Sequence, residues 1–446
     1  MKKIYALLFT LVAVLPLIAQ EASQKIEELI AAWAKNEKFN GTVLVAQNGH
    51  IVFQKGYGYK NAVTKEINNE NTVFQIGSIT KQFTSAVILR LQENKRLSIQ
   101  DKLSKYFPEL PFAGKVSIEN LLSHTSGIYN YTNDGDFMKT EAVKPATHDK
   151  LLALFKDKPL EFEPGSKFSY SNSNYILLGF IIEKISGKPY EQVLHEMIFS
   201  PLQMGHSGFN FTALHSADKA TGYFALSKTA NTPAGIVDSS VSYAAGAIYT
   251  TAGDLYKWDR ALYTEKIISR ASLKDAYSIR KGKYGLGWSI DSAYGKQVYQ
   301  HGGGIFGFTS FIFRSPEEDI CILLLDNQGD GTLEKIASGI NAVLHNQPYE
   351  LPKERTAIAI DTAVVKQYLG EYELSPGFIL AITLENGQLM VQATGQGKAE
   401  LFAEKQNFFF LKVADVQIEF IKNDNGVTDK LILHQGGRDM PAKKIK

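Results

Sequence analysis

The chain has 446 residues, of which 44% are hydrophobic and 21% charged, and its formal net charge is +2 at pH 7. That length exceeds what one hydrophobic core usually organises, so two folded domains are expected, and the composition excludes a disordered or fibrous chain. Near-neutral charge, with no long lysine or arginine stripe to neutralise a phosphate backbone, argues against a nucleic-acid partner.

Met1-Lys2-Lys3 is followed by an apolar run over residues 4–19, broken only by Thr10 and Pro16. A basic start and a run short of the roughly 20 residues that span a bilayer read as an export signal over 1–19, giving a periplasmic or secreted protein with no stable membrane anchor. The single cysteine, Cys321, sits in Ile320-Cys-Ile-Leu-Leu-Leu325 and reads as a buried, inert thiol. Ile26, Leu29, Ile30 and Trp33 recur at helical spacing, and two strands then flank Asn48-Gly49, a pair that supplies the positive φ angles of a tight hairpin. The next helical pattern covers about 78–97, with Phe83, Val87 and Leu91 on one stripe and apolar neighbours around it, which predicts a buried central helix.

Ser78 opens that helix and Lys81 lies three residues on, on the same face. Ser-x-x-Lys also occurs at Ser216/Lys219 and Ser278/Lys281, but in polar stretches. A lysine removes a serine proton only where its ammonium form is disfavoured, and burial among apolar residues does that. The competing reading of Ser78 is a helix N-cap. Tyr-x-Asn likewise occurs at Tyr59/Asn61, Tyr131/Asn133 and Tyr170/Asn172; only the last lies in a polar loop opening into an apolar helix. There a phenol near Lys81 can exchange protons and the Asn172 amide can orient a substrate. The polar stretch between Tyr129 and Lys150 reads equally as a border of the cleft or as an uninvolved surface loop.

His301-Gly302-Gly303-Gly304 reads as part of an edge strand whose glycines allow close approach to the serine, with a backbone N–H free to face a reacting carbonyl. The same stretch satisfies Gly-x-Gly-x-x-Gly, yet the aromatic, strand-like Phe308-Thr-Ser-Phe-Ile-Phe313 follows where a dinucleotide site needs a helix.

Together these residues resemble the serine β-lactamases and penicillin-recognising peptidases, in particular the class C β-lactamase and D-amino-acid peptidase branch. The resemblance extends through Phe74-Gln-Ile-Gly-Ser-Ile-Thr-Lys81, Leu121-Leu-Ser-His-Thr-Ser-Gly-Ile128, Pro201-Leu-Gln-Met204, Ala245-Gly-Ala-Ile-Tyr-Thr-Thr-Ala-Gly-Asp-Leu255 and Tyr284-Gly-Leu-Gly-Trp288, in the family's order. It implies an α+β, β-lactamase/transpeptidase-like fold: an antiparallel sheet with flanking helices and an all-helical subdomain. It also implies Ser78 as nucleophile, Lys81 and Tyr170 as the proton-transfer pair, Asn172, His301, Gly302 and Gly303 as substrate-binding residues, and an oxyanion hole from the Ser78 and Gly304 N–H groups. His124 matches a family position and reads as structural. Where many members carry Lys-Thr-Gly this chain has His301-Gly302-Gly303, so a fixed cation and a hydroxyl are missing. Potent penicillin hydrolysis is therefore not expected, and an ester or a D-amino-acid-containing peptide fits better.

The hydrolase domain is expected over 20–345 and a linker over 346–364. From Tyr368-Leu-Gly-Glu-Tyr372 onward, short alternating segments are separated by turns at Glu385-Asn-Gly387, Asn423-Asp-Asn-Gly426 and Gln435-Gly-Gly437, which predicts a small antiparallel barrel over 365–446. Its opening motif resembles lipocalin-like domains. No Cys/His spacing suggests a metal, and the mechanism implied needs no cofactor and takes a small-molecule or peptide substrate. The other reading is an exported penicillin-binding-like sensor, or a protein that binds cell-wall peptides, acylating slowly or not at all.

Overall fold

The computed structural model describes residues 20–446 except 229, 330, 331, 353, 354, 413–415, 436 and 437. The expected signal, two residues of the linker and the Gly436-Gly437 turn lie outside the described residues. The chain divides into two compact units, one ending at Leu351 and one beginning at Pro352.

The first unit contains helix α1 (20–35), strands β1 (Gly41–Gln47) and β2 (His50–Gly56), helices α2 (Thr80–Glu93) and α3 (Asn172–Ser186), strands β3 (Ser289–Ala293), β4 (Lys296–Ile305), β5 (Phe308–Ser315) and β6 (Ile320–Asp326), and helix α4 (Leu333–Leu344). The strands form one antiparallel sheet in the order β2-β1-β6-β5-β4-β3. The β1–β2 hairpin turns at Asn48 and Gly49, whose φ angles are 53° and 76°, the mirror-image turn that the Asn-Gly pair predicts.

Two central strands are apolar at nearly every position because the sheet is covered on both faces. Val43, Val45, Ile320, Ile322 and Leu324 join one core with Ile26, Leu29, Ile30, Ile336 and Ile340 of α1 and α4. The alternate residues Leu44, Ala46, Cys321, Leu323 and Leu325 join a second core with Phe83 and Val87 of α2 and Ile176 and Leu177 of α3. Each aliphatic side chain buried this way stabilises by about 1.5–3 kcal/mol, so β6 locks the sheet from both sides. The helix pattern read over 78–97 is shorter in the structure: α2 stops at Glu93, and Lys95 adopts φ 56°, which a helix cannot continue through.

The second unit is a closed barrel of eight antiparallel strands in sequence order, β7 (Gly370–Ser375) to β14 (Arg438–Lys444), closed by the pairings Tyr372↔Lys444 and Glu373↔Lys443. Its interior holds Leu380, Ile382, Leu389, Val391, Leu401, Phe409, Ile418, Phe420 and Leu431. Tyr368 stacks on Phe420 with ring centroids 4.3 Å apart, and the Tyr372 hydroxyl donates to the Tyr368 carbonyl at 2.9 Å. The opening Tyr-x-x-x-Tyr motif thus helps fill the barrel with side chains, as eight strands permit.

Candidate active site

Ser78 lies in a single 3-10 turn, Gly77–Ile79, immediately before α2. Its side chain makes no helix-capping bond, so the N-cap reading does not hold. Instead the Ser78 Oγ lies 2.9 Å from Lys81 Nζ. The same nitrogen donates to Asn172 Oδ1 and to the Ala245 carbonyl, each at 2.8 Å. Lys81 is fully buried, and desolvation holds its pKa well below the ordinary lysine value, favouring the neutral amine.

Tyr170 brings its ring to 4.8 Å from Lys81 Nζ. Burial raises the pKa of its phenol above the usual tyrosine value, and the facing Ser78 hydroxyl offsets part of that rise. The group is therefore a protonated phenol at neutral pH. Its ring packs on His124, centroids 4.1 Å apart. His124 is fully buried with φ 55°; its Nδ1 accepts the Ser171 N–H at 3.2 Å and its carbonyl accepts the Ser169 N–H at 2.9 Å. It thus clamps the backbone on both sides of Tyr170, which supports the structural reading of this histidine.

Asn172 is the first residue of α3, and its carboxamide oxygen is taken by Lys81. Its Nδ2 donates to Thr132 Oγ1 at 3.1 Å and its backbone N–H to Asn130 Oδ1 at 2.9 Å. The polar stretch after Tyr129 therefore borders the site through Asn130 and Thr132. The sequence carries only polarity as a signal for this, because the contacts close across 40 residues of intervening chain. Tyr131, by contrast, is buried with its hydroxyl on the Val241 carbonyl at 2.7 Å, and Asn61 accepts the N–H groups of Val63 and Thr64 in a turn. Both are structural. The other Ser-x-x-Lys pairs are also apart: Ser278 donates to Lys274 O, while Lys281 bonds the carbonyls of Gly165 and Ser166; Lys219 bonds that of Leu214.

The Ala245 carbonyl was not foreseen from sequence. It reaches Lys81 because Ser239–Gly246 is broken inside by Tyr243, at φ 39° and ψ −134°. Ala244 and Ala245 then present consecutive carbonyls to α2, the former accepting from Thr84 Oγ1 at 2.7 Å. Such a conformation persists only where surroundings enforce it, and Tyr243 is packed among Phe180, Tyr190 and Phe209.

Strand β4 forms the opposite wall. β3 pairs with Lys296–Gln300 only, so His301–Ile305 is edge backbone although β4 is internal to the sheet elsewhere. A Cβ on Gly303 would sit 2.0 Å from the Ile76 carbonyl oxygen and 2.3 Å from Ser310 Oγ, and one on Gly77 would sit 2.8 Å from the Gly304 nitrogen. These two glycines let the strand and the serine turn touch, which sets the backbone of exposed Gly304 beside the turn that carries Ser78. The His301 side chain does not offer a substrate contact in this arrangement. It is 5% exposed, Nδ1 lies 2.7 Å from the Gly302 carbonyl and Nε2 2.8 Å from the Tyr284 hydroxyl. A carbonyl only accepts, so Nδ1 carries the hydrogen and Nε2 accepts from the phenol. Burial and the nearby Lys81 lower its pKa to about 4. The part of this strand left open is glycine backbone.

A serine hydroxyl beside a desolvated lysine, with a phenol on one side and an open strand edge on the other, on an α+β frame, is the arrangement expected of the β-lactamase/transpeptidase type of fold. The comparisons agree: the family profile described as Beta-lactamase matches residues 26–345, and the chain belongs to that family of serine β-lactamases and penicillin-recognising serine hydrolases. A second profile, a domain of unknown function (DUF3471), matches residues 354–444 and so falls on the barrel unit. Penicillin-binding protein 4* of Bacillus subtilis is 30% identical, covering 96% of this chain and 100% of its own length. The octameric penicillin-binding protein homologue from Pyrococcus abyssi superposes with a TM-score of 0.67 at 26% identity, over 94% of this chain and 99% of that one. The D-amino acid amidase of Ochrobactrum anthropi shares the fold, with a TM-score of 0.62 at 22% identity over 74% of this chain and 99% of that one.

Proposed function

We propose that the protein opens an ester or amide bond through an acyl-enzyme on Ser78. The observation that carries this reading is the 2.9 Å contact between Ser78 Oγ and a fully buried Lys81 nitrogen whose ammonium form is disfavoured. The neutral amine takes the Ser78 proton as Oγ bonds to the substrate carbonyl carbon. The oxyanion so formed accepts from the Ser78 and Gly304 N–H groups. The raised phenol of Tyr170 suits it to donate a proton to the departing oxygen or nitrogen, after which Lys81 can return its proton to the phenolate. Lys81 is accordingly the principal base and Tyr170 the acid. Asn172, whose carboxamide oxygen is taken by the amine, acts at least in part by holding Lys81.

The substrate is read as neutral where it meets the strand. His301 stands where a fixed cation would anchor a carboxylate, and its pKa of about 4 leaves it uncharged at neutral pH. An ester or a D-amino-acid-containing peptide fits this site better than a penicillin, and the fold shared with a D-amino acid amidase is consistent with it. The basic and then apolar opening of the chain supports an exported location; among the described residues no helix is long and apolar enough to cross a membrane.

The test is a hydrolysis screen of p-nitrophenyl esters, D-aminoacyl amides and nitrocefin, alongside labelling with a fluorophosphonate. Turnover and label are expected to vanish in Ser78→Ala, and label persisting in that variant removes the assignment. Nitrocefin turnover near 10⁶ M⁻¹s⁻¹, on the order of an efficient enzyme, would overturn the substrate reading. A fluorescent penicillin that enters and never leaves, with none of the screened substrates turned over, would instead favour a sensor.

A further inference from the structure

Beyond Gly304 the catalytic strand runs into an apolar surface that the reaction described so far does not use. Ile305 and Phe306 follow the oxyanion amide, and Phe306 packs against Phe224 with ring centroids 5.5 Å apart. Phe224 is 58% exposed, although its strand neighbour Tyr223 is fully buried. The segment carrying it is tied to the turn of the catalytic strand: the Tyr223 N–H donates to the Gly307 carbonyl at 3.3 Å, and Ala234 N–H returns to Gly222 O at 2.8 Å. The same segment then passes Val143, 45% exposed, whose Cγ1 lies 3.1 Å from the Cβ position of Gly235. Farther along it delivers the Ala245 carbonyl to Lys81. Phe224 and the half-buried Phe306 thus form one apolar lip, joined to the serine side of the strand through the backbone of Gly304 and Ile305, and Val143 lies farther along the same segment, against Gly235.

The geometry decides which part of a substrate meets that lip. The leaving group must face the proton donor, Tyr170, whose ring lies 6.4 Å from that of His301, at the start of the open strand. The lip lies past the other end, beyond Gly304. The group on that side is the one that stays on Ser78.

We propose that the acyl portion of the substrate is apolar and lies against Phe224, Phe306 and Val143, so that the protein selects esters or amides of hydrophobic acyl groups. This rests on the Ser78 acyl-enzyme reading above. Phe224 and Phe306 present a paired aromatic surface next to the open strand, and a chain seated against it removes apolar area from water on both sides.

Fluorophosphonates with a methyl or an octyl chain on phosphorus test it, since Ser78 Oγ bonds to phosphorus while fluoride leaves and the chain takes the acyl position. The rate of Ser78 labelling, followed by intact mass, is expected to be about tenfold or more higher for octyl than for methyl, as partial burial of several methylenes predicts. Phe224→Ser and Val143→Ser, both at exposed positions, should lower that octyl-to-methyl ratio at least threefold. A ratio near one in the unaltered protein, or one that both variants preserve, overturns the proposal while leaving the acyl-enzyme standing. If neither probe labels Ser78, the acyl-enzyme reading itself fails. If the variants lose binding to phosphatidylcholine–phosphatidylglycerol vesicles yet keep the ratio, the lip is a membrane-docking surface and the proposal falls.

Discussion

Lys81 Nζ contacts three oxygens, and only that of Ser78 belongs to a reactant. The other two, Asn172 Oδ1 and Ala245 O, fix the amine so that its lone pair is aimed rather than free to rotate. Lys81→Met should lower the single-turnover acylation rate by about 10²–10⁴-fold, the usual contribution of a positioned general base. Lys81→Arg should not restore it, because a guanidinium stays protonated. Activity in the unaltered protein should fall as pH drops through the lowered lysine value, giving an acid limb in the rate profile. His301 gives a second pH dependence, of stability. Its folded pKa of about 4 lies below the unfolded value of 6.5, so between those values the unfolded chain binds the extra proton. Stability is therefore fully present above pH 6.5 and declines as pH falls toward 4, by on the order of 3 kcal/mol for this shift. Buried His124 acts in the same direction. Thermal melts of His301→Phe between pH 7 and pH 4.5 should show a shallower decline than the unaltered protein; an equal slope would remove the histidine as its source.

At the scale of elements, the site is a meeting of one helix start, one strand edge and one broken helix. Contact between strand and helix start depends on Gly303. In Gly303→Ala the new methyl would press on the Ile76 carbonyl, which is backbone and cannot rotate away. The strand must withdraw from the serine turn, and a displacement near 1 Å at a reacting centre costs about a hundredfold in rate. That loss, with an unchanged far-ultraviolet circular dichroism spectrum, is the expected result. The helix start and the strand edge were legible in sequence, since Ser78 and Lys81 share a helix face by spacing alone and a run of glycines before an aromatic strand announces close approach. The broken helix was not. Ser239–Gly246 reads as small, weakly patterned residues, and nothing local requires Tyr243 to leave helical geometry. The cause is tertiary: an aromatic surround and two carbonyls claimed by α2. The open edge at His301–Ile305 was legible, whereas the partner that covers Lys296–Gln300 was not, because strand pairing is settled by long-range closure.

Across the whole molecule, each unit has its own core, two clusters around the sheet in the first and a single cluster inside the barrel in the second. A chain ending at Leu351 should therefore fold and still label at Ser78, as measured by intact mass after fluorophosphonate treatment; loss of folding in that truncation would show that the barrel is needed for the catalytic unit. The barrel was read from alternating segments and Asn-Gly turns, and Asn386 and Gly387 do take the positive φ angles such a turn needs. What the alternation could not convey is that the interior is filled by Tyr368, Tyr372 and Phe420, since period-two patterning marks an inward face without saying whether it meets a ligand or other side chains.

Cys321 sits on the central strand, fully buried, with its thiol pKa raised well above the usual value by burial. The chain holds no second cysteine. The native protein should accordingly be silent toward maleimides, and a cysteine placed at residue 224 or 143 becomes a single optical reporter on the proposed acyl-binding surface. A dye there could follow arrival and departure of unlabelled substrates in real time, with no background substitution needed in the sheet.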